Sequence, residues 1–123
     1  MTTQNIILTN RNEMDYTGPA VKGDGYYGYA DGLHTISFHL KNFTGRVWLE
    51  ATLLENPTED DWFVIEMQTS LPYLQFTGET TARGISFSGN FVWLRASVDR
   101  SYLSTGPYDA SVHGIFDKAV LLI

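Results

Sequence analysis

Alternation of apolar and polar side chains, repeated in several short segments and never replaced by a helical period, restricts this chain more than any other feature. In Thr35-Ile36-Ser37-Phe38-His39-Leu40, residues Ile36, Phe38 and Leu40 fall on one side of an extended backbone and Thr35, Ser37 and His39 on the other. Only a strand whose sheet has one buried and one wet face satisfies that pattern. Arg46 to Leu53 repeats it, with Val47, Leu49, Ala51 and Leu53 predicted inward and Trp48, Glu50 and Thr52 outward. Further strand candidates are Trp62 to Gln68, Gly84 to Phe87, Phe91 to Val98 and Ala119 to Ile123, bounded by Gly, Pro, Asn or Asp. Short strands at this spacing predict an all-β chain, an antiparallel β-sandwich of jelly-roll-like kind. Seven Phe, seven Tyr, three Trp and eleven Gly suit that reading, because aromatics fill half-buried pleated surfaces and glycines make tight turns.

With 43% hydrophobic and 18% charged residues, residues 1–123 are expected to fold as one β-sandwich domain. One segment departs from the strand pattern. In Asn56-Pro57-Thr58-Glu59-Asp60-Asp61-Trp62, Asn56 suits a helix cap, Pro57 the first helical position, and the acids the positive end of a helix dipole. A one-turn helix in a loop is predicted there. Its acids lack the alternating ligands and central glycine of a calcium loop, so they read as a solvated cap.

Net charge of −6 repels nucleic-acid phosphates and anionic lipid heads, so neither is expected as a partner. The absence of cysteine excludes disulfides and thiolate metal sites. Met1 to Asn5 has neither a basic nor an apolar run, so no secretory signal or anchor is expected, and synthesis in a cytoplasm is. The Asn42-Phe43-Thr44 sequon is then idle.

An internal echo is the most informative pattern. Phe43-Thr44-Gly45-Arg46-Val47-Trp48-Leu49-Glu50-Ala51-Thr52 aligns with Phe87-Ser88-Gly89-Asn90, one inserted Phe91, and Val92-Trp93-Leu94-Arg95-Ala96-Ser97, with six of ten pairs identical. Each copy reads as a glycine corner delivering a strand whose small and branched residues pack inward, with the tryptophan opposite. Facing sheets are one arrangement for the two strands. Duplication and convergence on turn-then-strand grammar both remain open.

Trp48 and Trp93 thus point outward, beside Glu50 and Arg95, and an outward indole needs cover. That cover is either another protein, since Trp, Tyr and Arg anchor desolvated interfaces, or a loop of the same chain. The Tyr-rich stretch Thr17 to Gly32 holds five glycines and three tyrosines in sixteen residues and reads as a loop. Tyr26, Tyr27 and Tyr29 are suited to docking on a subunit, stacking on sugar rings, or packing on their own turn. The interface candidates are Trp48, Trp93, Tyr26, Tyr27 and Tyr29, with Arg95 as polar anchor. The apolar Ala119 to Ile123 must join a sheet, its own by preference.

No catalytic, cofactor-binding or metal-ligating residue is assigned. Gly84-Ile85-Ser86-Phe87-Ser88-Gly89 has its second glycine one residue late for a nucleophile elbow and lacks the α/β setting. His34, His39 and His113 lack metal-motif spacing and read as surface or rim residues. No nucleophile, base and metal set converges, so the chain is not expected to be an enzyme.

The segments Phe43-Thr44-Gly45 through Glu50-Ala51-Thr52-Leu53, Pro57 through Phe63, and Gly89 through Ala96 resemble stretches of small structural proteins of tailed marine bacteriophages, cyanophages among them. They cover about a third of the chain and are turn-and-strand patterns. The resemblance implies a virion component made in the host cytoplasm: a capsid decoration, neck, tail or fibre protein, multi-copy or homo-oligomeric, contacting other virion proteins. The alternative is a carbohydrate-binding β-sandwich module using the tyrosines as a platform.

Overall fold

A computed structural model describes residues 4–28, 32–66, 72–104 and 106–123. Its strands in chain order are β1 (Gln4–Thr9), β2 (Asp15–Thr17), β3 (Val21–Lys22), β4 (Leu33–Lys41), β5 (Phe43–Thr52), β6 (Phe63–Val64), β7 (Tyr73–Glu79), β8 (Ala82–Ser88), β9 (Trp93–Asp99) and β10 (Ile115–Leu122). All the pairings between them are antiparallel. One sheet runs β1-β10-β4-β8, and the other is centred on the long pair β9 and β5. Short β2 and β3 lie end to end along β9, and β6 and β7 along β5. Gly18-Pro19 separates β2 from β3, where proline has no N–H to offer the ladder. With each end-to-end pair taken as one interrupted strand, the order is that of a jelly roll, so the predicted all-β sandwich is what forms.

Alternation places the core where the sequence puts it. Ile36 and Phe38 of β4, Val47, Leu49 and Ala51 of β5, Leu94 and Ala96 of β9, and Phe116, Ala119 and Leu121 of β10 are all fully buried in one apolar cluster. Phe43 and Phe116 meet edge-on at 5.6 Å, and Phe38 lies 6.2 Å from Phe116, a geometry aromatic quadrupoles favour. The C-terminal segment joins its own sheet as β10, between β1 and β4.

Several local expectations are corrected. The two echo segments are hydrogen-bonded neighbours in one sheet and do not face each other across the core: β5 pairs β9 with Leu49 opposite Ala96 and Ala51 opposite Leu94. Their glycines share a backbone state, φ 157° at Gly45 and 155° at Gly89, and each lies under a phenyl ring, of Phe43 and Phe91 respectively. Leu53 is exposed, because β5 ends at Thr52 and the alternation lapses with the strand. Val92 precedes β9 and is only half-buried.

The predicted helical turn is a 3-10 turn at Glu59–Asp61 capped by Thr58, not Asn56, and Pro57 precedes the cap. Thr58 wins because its amide and hydroxyl both donate to the Asp61 carboxylate, at 2.7 and 3.0 Å. Two further one-turn helices, α1 (Asp24–Tyr27) and α2 (Ala110–His113), add to the one turn expected. The Tyr-rich stretch is therefore not plain loop but the end of β2, β3 and α1. The strand expected over Trp62 to Gln68 shrinks to β6, with Met67 and Gln68 outside the described residues. Strands β1, β2, β3 and β7 lie outside the segments that alternation predicts.

Candidate functional site

The outward face of the β9–β5 sheet gathers the residues that carry chemistry. Register sets them in rows: Asp15, Asp99, Arg46 and Gln75; then Thr17, Ser97, Trp48 and Tyr73; then Arg95, Glu50 and Val64; then Lys22, Trp93 and Thr52, the last fully buried and not outward as its parity predicts. Trp48, Trp93 and Arg95 thus share one face, as strand parity predicted.

Each indole has cover from its own chain. The Trp93 ring lies 5.1 Å from that of Tyr26, and its Nε1 donates to the Glu55 carbonyl at 3.0 Å. The Lys22 ammonium sits 4.5 Å over the Tyr26 ring, a cation–π contact, and Tyr27 meets Tyr26 edge-on at 5.7 Å. Trp48 leans on Tyr73 at 5.1 Å. Tyr29 lies outside the described residues.

Cover is incomplete around Trp93. Two recesses of about 490 and 440 Å³ meet over it, sharing Glu55 and Asn56, with Ala20 and Pro57 on one side and Gly25 and Tyr26 on the other. Together they form a groove with an indole floor.

Arg95 is held within the chain. Its guanidinium bonds Glu50 at 3.1 Å, grips both Glu59 carboxylate oxygens at 3.2 and 3.0 Å, and stacks 4.2 Å from the Trp62 ring. The hydrogen bonds from Arg95 hold the exposed Glu59 carboxyl below its ordinary range. Arg95 is thus a clamp that pins the 3-10 turn to the sheet.

Asp15 and Asp99 stand opposite each other at the far end of the face. Burial alone would raise Asp15, but hydrogen bonds from Ser101 and from the Arg100 amide outweigh it and lower its pKa. Asp99 is raised, first by burial and then by a hydrogen bond and repulsion from Asp15. The signs have opposite consequences for stability: Asp15 loses its contribution as pH falls, and Asp99 loses its own as pH rises. In Asp15→Asn, the Asp99 carboxyl is expected to titrate lower, since only burial still raises it; carboxyl-detected NMR reads the shift, and no movement would sink the pairing.

The chain matches no protein-family model and no curated protein. Among solved structures, the crystal structure of the SPBc2 prophage-derived protein YomS aligns at TM-score 0.53 and 9% identity, over 99% of this chain and 89% of that one. The chain shares its fold with a prophage-derived protein. With YomS as the reference for architecture, the match runs through both sheets and nearly the full length of each chain.

Sequence reasoning missed a buried polar pair behind the Trp93 groove. His34 and Asp24 are both fully buried, with His34 Nε2 3.3 Å from Asp24 Oδ1. His113 is also buried, so two of the three histidines expected at the surface or rim are interior. The signal for His34 was present, because it has the parity of Ile36, Phe38 and Leu40 and immediately precedes the segment read as a strand. Asp24 gave none: an acid between two glycines reads as a turn. Among the described residues no group of three or more His, Asp or Glu is placed to hold a metal.

Proposed function

We propose that this chain is a structural subunit of a bacteriophage particle that works by repeated protein contact and not by catalysis. The observation that carries the reading is the alignment with prophage-derived YomS over 99% of this chain and 89% of that one, which spans the whole architecture and not a local motif. The segments that resemble structural proteins of tailed bacteriophages lie in β5, the 3-10 turn and the start of β9. Its place in the virion is that of a decoration, neck, tail or fibre subunit, and its partners are other virion proteins or further copies of itself.

The Trp93 groove supplies the contact. An indole fixed by a carbonyl and a neighbouring phenol loses little freedom on docking, which is what an interface anchor requires. Many copies then multiply a small contact through effective concentration. Quantitative mass spectrometry of purified particles is expected to find the chain at a fixed stoichiometry, and its absence from the particle would overturn the reading. Trp93→Ala, with folding unchanged by circular dichroism, is expected to lower incorporation about thirtyfold or more, the loss of one anchor worth about 2 kcal/mol or more.

A further inference from the structure

The row Thr17, Ser97, Trp48 and Tyr73 sets two small hydroxyl residues beside two rings. Tyr73 props Trp48 from the β7 side, while on the β9 and β2 side the chain drops to serine and threonine and leaves a recess of about 500 Å³. Trp48, Ser97 and Thr17 line it together with Asp15, Glu50 and Asp99. That volume is within the range of small-molecule sites, roughly 300 to 1,000 Å³.

The geometry points to a neutral saccharide as the occupant of this recess. An indole offers the apolar face that a pyranose C–H surface covers, and the surrounding oxygens accept from sugar hydroxyls. Each carboxylate already accepts hydrogen bonds within the chain, and a ligand that adds hydroxyl donors suits the oxygen capacity they have left. Glu50 accepts from Arg95 at 3.1 Å, and Asp15 Oδ1 accepts from the amides of Arg100 and Ser101 at 2.9 and 3.0 Å. Asp99 stands opposite Arg46 in register and accepts from the Ser101 hydroxyl at 3.3 Å. What remains is unused acceptor capacity around an aromatic ring. Thr17 and Ser97 bond each other at 3.0 Å, so their hydroxyls are oriented before any ligand arrives.

This site is distinct from the Trp93 groove and does not depend on the particle reading, so either can fail alone. The full chain is applied to an array of bacterial and plant oligosaccharides, and the best binder is then titrated by tryptophan fluorescence. Saturable binding is expected, at least tenfold weaker in Trp48→Ala and in Ser97→Gln, whose longer side chain fills the recess without removing the indole. Trp93→Ala is expected to change affinity less than twofold. The inference is overturned if no glycan binds, if a lysine-rich peptide binds in place of every glycan, or if binding survives Trp48→Ala and Ser97→Gln but is lost in Tyr26→Ala.

Discussion

His34→Ala is expected to destabilise the fold by about 3 to 5 kcal/mol, read as a lower urea midpoint at unchanged slope. The imidazole is a hub between three segments. Its Nδ1 lies 3.0 Å from the Gly32 carbonyl, which can only accept, and Nε2 lies 3.3 Å from the Asp24 amide nitrogen. The ring stacks on Phe87 at 5.1 Å and touches Phe91 at 5.4 Å. Asp24 Oδ1 accepts from the Phe91 amide at 3.0 Å, while Oδ2 has no partner among the described residues. Removing the ring opens a cavity and leaves the buried Asp24 amide without its acceptor, two costs that add. A double variant, His34→Ala with Asp24→Ala, should lose less than the two single losses combined, because the two side chains lie 3.3 Å apart and each single change already breaks their contact. Since Asp24 begins α1, the single variant should also loosen Tyr26 against Trp93 and red-shift tryptophan emission. A loss below about 1 kcal/mol would show the pair to be incidental.

Gly89→Ala is the second large effect, about 2 to 5 kcal/mol, combining backbone strain with overpacking. Its φ of 155° is a conformation that side chains rarely adopt. An added Cβ would lie 2.3 Å from the tip of the Phe91 ring, which packs against His34, Phe87 and Phe63. The alanine must push that ring out of its cluster. Gly84→Ala is the matched control: it lies mid-strand in β8, an added Cβ would meet nothing nearer than the Ile36 carbonyl oxygen at 3.8 Å, and it should be neutral or slightly stabilising. Equal losses at both positions would refute the ring-clash account.

Legibility followed strand length. β4 and β5, at nine and ten residues, show enough alternation for Ile36, Phe38, Val47 and Leu49 to be placed in the core from parity alone. β2, β3 and β6, at two or three residues each, carry no period and exist because β9 or β5 offers a ladder to pair with. β7 was missed for another reason: Gln75 and Thr77 are exposed and Leu74 and Phe76 buried, but Gly78 and the preceding Pro72 make the stretch look like a loop. The indoles show the same division. That Trp48 and Trp93 point outward is a matter of parity; that Tyr73 and Tyr26 lean on them is a matter of which strands are neighbours.

From its residues alone the chain was bound to bury alternate side chains in sheets, to do so without disulfides, and to leave Trp48, Trp93 and Arg95 on the same kind of surface. Those properties depend on neighbours one or two positions away, where backbone geometry leaves little choice. That β5 and β9 lie side by side, that Arg95 is tied down by Glu50 and Glu59, and that His34 meets Asp24 in the interior depend on pairings between segments distant along the chain. Local patterns are blind to such pairings, because many registers bury the same apolar faces and only the assembled sheets select among them.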